Sequence, residues 1–160
     1  MRGVSLSKTL LVGFLFVVSF VAVSFAEQIL FVVASTSLNT GDQAVYDLLA
    51  GQGHTVTLVS AGNSSSADAE GKDAVLISST CNSSQVGNKF TSVAVPVICW
   101  EPWLFDDLEM TGTSSSSDYG MESGQSEVVI ANSEHQLAAG LSGTITVLTS
   151  AETITWGVPQ

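Results

Sequence analysis

Two spacings of apolar residues alternate along the first two thirds of this chain. Gln28–Ala34, QILFVVA, is a continuous β-branched and aliphatic run, the pattern of a strand buried on both faces. The stretch STSLNT follows, and then Ala44, Val45, Leu48 and Leu49 recur at helical spacing. Thr40 with Gln43 forms a capping box, which predicts Thr40 as the helix N-cap. Gly51 or Gly53 ends the helix. His54–Ser60 alternates through Val56 and Leu58 as a second strand. Strand, helix and strand at these lengths imply parallel pairing with a right-handed crossover.

The pattern continues more weakly. Asn63–Ala67 reads as a Ser-rich loop with one helical turn toward Gly71, Asp73–Ser79 as a third buried strand, Ser83–Phe90 as weakly helical and Val95–Cys99 as a fourth strand. Trp103–Met110 predicts a short helix with Leu104 and Leu108 facing inward. Thr111–Ser126 is Ser- and Gly-rich and reads as an exposed loop. Glu127–Ala131 predicts a fifth strand, Glu134–Gly140 a turn or short helix, and Thr144–Thr149 with Thr153–Trp156 a hairpin-like addition. The expected class is α/β: a flavodoxin-like, mostly parallel doubly wound sheet with late antiparallel strands. In that winding the third strand lies between the first and the fourth. The chain closes on the strand-like run 156–160 with no helix behind it, as a C-terminally truncated product or the first domain of a longer protein would.

Ahead of the first strand stand Arg2 and Lys8, an apolar run over 10–25, and small residues at Ser24 and Ala26. These describe a secretory signal over 1–26 with cleavage after Ala26. The run is long for a signal, so a retained anchor is the alternative. In either case the domain, 27–160, is expected outside: secreted, periplasmic or on the cell surface, with no membrane contact beyond the signal segment.

Residues 27–160 hold Lys72 and Lys89 against fifteen acids, a net charge of −13. Such a surface repels phosphate backbones, and nucleic-acid binding is set aside. The length makes one domain with a real core. Cys81 and Cys99 are the two cysteines. A bridge between them is allowed in an oxidising compartment, but neither has the spacing of a zinc site.

Two family resemblances follow. VPVICWE (Val95–Glu101) resembles the proline-started strand that leads into the nucleophile elbow of class I glutamine-amidotransferase-like domains, including trehalose-utilisation-like members. SEHQLAAGL (Ser133–Leu141) is similar to their His-Pro-Leu/Ile…Gly-Leu stretch, with Gln136 in place of proline. The resemblance implies a cysteine nucleophile at Cys99. The chain departs from the pattern there, because Trp100 and Glu101 stand where the strained elbow tolerates only small neighbours. Gln136 and Leu137 after His135 also break the closing His-x-Glu pair. The front stretch, 29–45, is similar to the flavodoxin phosphate loop. This implies an FMN phosphate ringed by Ser35, Thr36, Ser37, Asn39 and Thr40 at a helix N-terminus. The same hydroxyls also suit a plain capping loop.

The corner Trp100–Asp107 carries the candidate site. Glu101 and Cys99 are weak catalytic candidates: Glu101 through partial desolvation, Cys99 through the resemblance. Trp100 and Trp103 offer flat apolar faces suited to a sugar ring, and Glu101, Asp106 and Asp107 offer acceptors beside them. With Ser35, Thr36, Asn39 and Thr80 on neighbouring loops, the corner predicts a shallow groove for a neutral glycan or polyol. Asp106, Asp107, Glu109 and Asp118 lack the spacing of a calcium loop, and no metal is assigned. The expected function is a non-catalytic module of a larger extracellular or surface protein, its partners carbohydrate or other domains. A degenerate amidotransferase-like hydrolase and a flavin carrier are the alternatives. Asn63-Ser64-Ser65 and Asn82-Ser83-Ser84 match the N-glycosylation sequon.

Overall fold

The computed structural model describes residues 26–160, so the leader assigned to 1–26 lies outside the described residues except for Ala26. Four parallel strands form the main sheet: β1 (Gln28–Val33), β2 (Thr55–Ser60), β3 (Ala74–Ile77) and β4 (Val97–Cys99), in the order β2-β1-β3-β4. β3 therefore lies between β1 and β4, the order expected of flavodoxin-like winding. β1 is central and its last five residues are buried, which is why its sequence is apolar without alternation. β2 is an edge strand, and its threonines alternate with valine and leucine accordingly.

The period of two sorts the core into two faces. Leu30, Val32, Val75 and Ile77 point to one face, under Ala61, Ala69, Val86, Phe90, Leu104 and Leu108. Ile29, Phe31, Val33 and Leu76 point to the other, under Leu38, Val45, Leu49 and Trp100. Each fully buried aliphatic or phenyl side chain contributes roughly 1.5–3 kcal/mol.

Helix α1 (Thr40–Gly51) covers the second face. Its N-cap is Asn39, not Thr40: the Asn39 side chain accepts from the Asp42 N–H at 2.9 Å. Asn is as good an N-cap as Thr, and Gln43, which would complete the expected box, instead donates to Asp47 one turn on. The apolar stripe is narrower than its spacing predicts. Val45 and Leu49 pack on the sheet, whereas Ala44 is exposed and Leu48 is 61% exposed. The one fully buried position in the helix is Asp42.

The opposite face is covered by short pieces: 3-10 turns at Ala61–Asn63 and Ser66–Ala69, helix α2 (Ser83–Val86), and the chain after β4. There the expected helix over 103–110 is a 3-10 turn, Pro102–Leu104, followed by further turns. Leu104 and Leu108 are nonetheless buried as expected.

The C-terminal third departs most from the sequence reading. The Ser/Gly-rich stretch is not all loop, because β5 (Tyr119–Gln125) emerges from it. β5 pairs antiparallel with β8 (Glu152–Gly157), and β6 (Glu127–Ile130) pairs antiparallel with β7 (Gly143–Thr146). The fifth strand therefore does not extend the parallel sheet, and the two late strands do not pair with each other. Thr and Val at alternate positions identify a strand but not its partner. The β5–β8 ribbon docks on the corner after β4. The Trp156 ring lies over Gly120, where an added Cβ would stand 3.2 Å from the indole. Phe105 and Thr111 close on Gly157, where it would stand 3.0 and 2.9 Å from their side chains.

Candidate functional site

All four parallel strands end at one edge, which carries the Ser35–Asn39 loop after β1, the Ser78–Asn82 loop after β3 and the Trp100–Asp107 corner after β4. Ligands usually sit outside this carboxyl edge in such sheets. The loops are not equally free to receive one.

Beneath the first two lies Asp42, 5% exposed. The Ser78 hydroxyl donates to its Oδ1, and the Thr80 hydroxyl donates to its Oδ2 at 2.8 Å. Ser78 Oγ in turn accepts from Thr80 N at 3.1 Å, and Thr80 Oγ1 accepts from Ala34 N at 3.3 Å. Thr80, half-buried, is thus tied to the scaffold through both its donor and its acceptor. The sequence reading missed Asp42 because a helix first-turn aspartate usually serves the helix dipole in water. The hydroxyl run Ser78-Ser79-Thr80 at the end of β3 was the one available signal.

The Ser35–Asn39 loop uses two of its side-chain oxygens internally. Ser35 Oγ accepts from Ser37 N, and Asn39 Oδ1 takes the Asp42 N–H. Asp42 adds a buried acid to the first helical turn, and Asp47 lines the shallow cleft beside Asn39 and Thr40. With Asn39 Oδ1 already on the Asp42 N–H and the Asp42 carboxylate buried in the first turn, the helix N-terminus is a poor fit for the phosphate of FMN. Ser35 and Asn39 do the work of a capping loop; Thr36 is exposed beside them.

At the corner the two indoles diverge. Trp100 packs on the helix-covered face, its ring 5.8 Å from that of Phe31. It is half-buried there, on a partner different from that of Trp103. Trp103 remains 45% exposed. Its ring stands edge-on to Tyr119, with centroids 5.9 Å apart at 81°, a favoured aromatic geometry. Tyr119 is buried, and its hydroxyl donates to Asp106 Oδ2 at 3.0 Å. Burial, then the Asp106 carboxylate, raises the Tyr119 pKa above the usual phenol value.

Glu101 is buried and caps the following turn, Oε1 accepting from Trp103 N at 3.2 Å. Desolvation raises its pKa, and the Trp103 N–H partly offsets this. The folded state therefore holds the Glu101 proton more tightly than the unfolded chain does. Stability falls as pH rises from the unfolded value, about 4.3, through the folded one above it. Glu101→Gln keeps an acceptor for Trp103 and removes that penalty. We expect the variant to be more stable than wild type at pH 7, with the difference vanishing near pH 3, by urea denaturation at the two pH values. A variant less stable at pH 7 contradicts this.

Cys99 lies within β4, its Sγ facing the Glu101 carbonyl at 3.5 Å. Burial pushes it up to about 12. Cys81, buried with Sγ toward the Val32 carbonyl, is also pushed up to about 12, by burial and then by Asp42. Both cysteines are free, so the bridge allowed by the sequence is not formed. The imidazoles do not serve Cys99. His54 accepts from Glu27 N at the opposite edge of the sheet, and His135 caps the Gln136–Ala138 turn. A thiol with so high a pKa and no imidazole beside it is a poor nucleophile. Native protein at pH 8 should react with a disulfide reagent at least about a hundredfold slower than free cysteine, and unfolded, unreduced protein should release two thiols. Absence of thiols in the unfolded protein refutes the assignment.

The remaining acids do not converge. Asp118 accepts from Ser114 N, Asp107 and Glu109 are exposed, and among the described residues no group of three or more His, Cys, Asp or Glu gathers to hold a metal. Behind the corner a cleft of about 290 Å³ is lined by Cys99, Phe105, Met110, Thr111, Gly157 and Pro159. Among the described residues no helix is long and apolar enough to cross a membrane. No protein-family model, curated protein or solved structure matches this chain.

Proposed function

We propose that the chain is an exported, non-catalytic α/β module of a larger extracellular or surface protein that binds a neutral glycan or polyol at the Trp103 corner. One observation carries the reading: a half-exposed indole at the ligand edge, braced by a buried tyrosine in edge contact with its ring and by a buried glutamate at its own backbone N–H. A tryptophan has two side-chain torsions, so bracing it costs little further entropy on binding. Its face suits the C–H side of a sugar, and the Asp106 carboxylate, which holds the Tyr119 hydroxyl through Oδ2, has its second oxygen to accept from a sugar hydroxyl. The net charge of −13 disfavours anionic ligands. Export rests on the leader pattern and on the acidic surface. The strand order agrees with the first four strands of flavodoxin-like winding, which favours that architecture and the amidotransferase-like resemblance at the level of fold. The hydrolase alternative has no imidazole at Cys99, and the flavin alternative has an acid buried in the first turn of the helix behind its loop. The test is a panel of neutral and anionic oligosaccharides applied to residues 27–160. Binding confined to neutral members is expected. A silent panel, or binding confined to anionic members, overturns the reading.

A further inference from the structure

We propose that Asn82 is an acceptor for N-linked oligosaccharide, so that the ligand edge carries a glycan on the loop after β3. This rests on the export half of the proposed function. The chain holds two sequons, at Asn63 and Asn82, and the structure separates them.

At Asn82 the acceptor geometry is built locally. Oδ1 accepts from Ser84 N at 3.1 Å and from the Ser84 hydroxyl at 2.7 Å. This is an Asx turn, with the required hydroxyl held on the acceptor side chain. Both bonds use the oxygen, which leaves the Nδ2 amide, the atom that is modified, without a partner among the described residues. Asn82 is exposed, and α2 begins at the next residue. A sugar on Nδ2 therefore leaves both Oδ1 bonds, and with them the helix cap, intact. At Asn63 the hydroxyl is committed elsewhere: Ser65 Oγ donates to the Asp68 carboxylate at 3.0 Å, and the intervening Ser64 is buried with its hydroxyl on the Ala61 carbonyl.

The donor is the lipid-pyrophosphate-linked oligosaccharide of a glycosylating secretory compartment. The Nδ2–C1 bond forms as the bond from C1 to the pyrophosphate oxygen breaks. That oxygen keeps the bonding pair, and the amide loses one proton to a base of the transferase.

The test is expression of the full chain, Met1–Gln160, in a eukaryotic secretory host, with Asn63→Gln as background so that a single sequon remains. The secreted protein is expected to lose the mass of one glycan on amidase treatment, leaving Asp at position 82. Asn82→Asp, which retains a capping oxygen, and Ser84→Ala, which retains the Asn82 cap, are both expected to fold and to show no mass change on treatment. Secreted background protein without a glycan overturns this proposal alone. Protein that never enters the secretory compartment overturns it together with the export reading.

Discussion

Asp42→Ala is expected to destabilise the domain by about 3 kcal/mol, the range for hydrogen bonds to a charged group together with stranded buried partners. For a domain of this size that lowers the thermal midpoint by about 10 °C. The Asp42 carboxylate is buried between α1 and the end of β3 and takes the Ser78 and Thr80 hydroxyls on its two oxygens. Alanine leaves the fully buried Ser78 hydroxyl without its acceptor, while the Thr80 hydroxyl keeps Ser78 Oγ at 3.1 Å as its only one. It also removes the acid of the first helical turn, where negative charge is favoured. Asp42→Asn keeps one acceptor oxygen and should lose about 1 kcal/mol, the scale of a single net hydrogen bond. Calorimetry of the three proteins orders them. An Asp42→Ala midpoint within about 2 °C of wild type, under 1 kcal/mol at this domain size, would show that the network does not tie helix to sheet.

Trp103→Ala is expected to weaken glycan binding roughly 30-fold, about 2 kcal/mol, the scale of a central aromatic contact. Its effect on stability should be small. The indole is already 45% exposed, and what is lost is chiefly its edge contact with Tyr119, worth about 1 kcal/mol. Cys99→Ser should leave binding unchanged, because the Cys99 thiol faces the Glu101 carbonyl inside the domain. Equilibrium titration of both variants with the tightest neutral oligosaccharide of the panel measures the contrast. Equal affinities for wild type and Trp103→Ala refute the site.

The parallel sheet was legible because its signal is local. Unbroken apolar runs in β1 and β3 report two-sided burial, and the alternating β2 reports an edge. The corner was legible as a place but not as an arrangement. Nothing local to Trp100 and Trp103 says that one indole turns to Phe31 and the other to Tyr119, sixteen residues further on. Asp42 was invisible for the same reason, since its partners lie 36 and 38 residues away. β6, β7 and β8 are each legible as strands, but β5 hides in the Ser/Gly-rich stretch, so the pairing is not. Adjacency in sequence favours β7 with β8, but Gly120 and Gly157 let Trp156, Phe105 and Thr111 pack closely around the β5–β8 ribbon instead.

The chain has three tryptophans, and their indole N–H signals in a nitrogen-correlated NMR spectrum test the central claim most directly. Trp100 packs on Phe31, Trp156 on Gly120, and Trp103 stands half in solvent. Each signal is assigned by single Trp→Phe substitution and followed while the tightest neutral oligosaccharide of the panel is added. The account predicts that the Trp103 signal shifts in a saturable way while those of Trp100 and Trp156 hold still. A stationary Trp103 signal with bound sugar, or a saturable shift confined to Trp100 or Trp156, would contradict it.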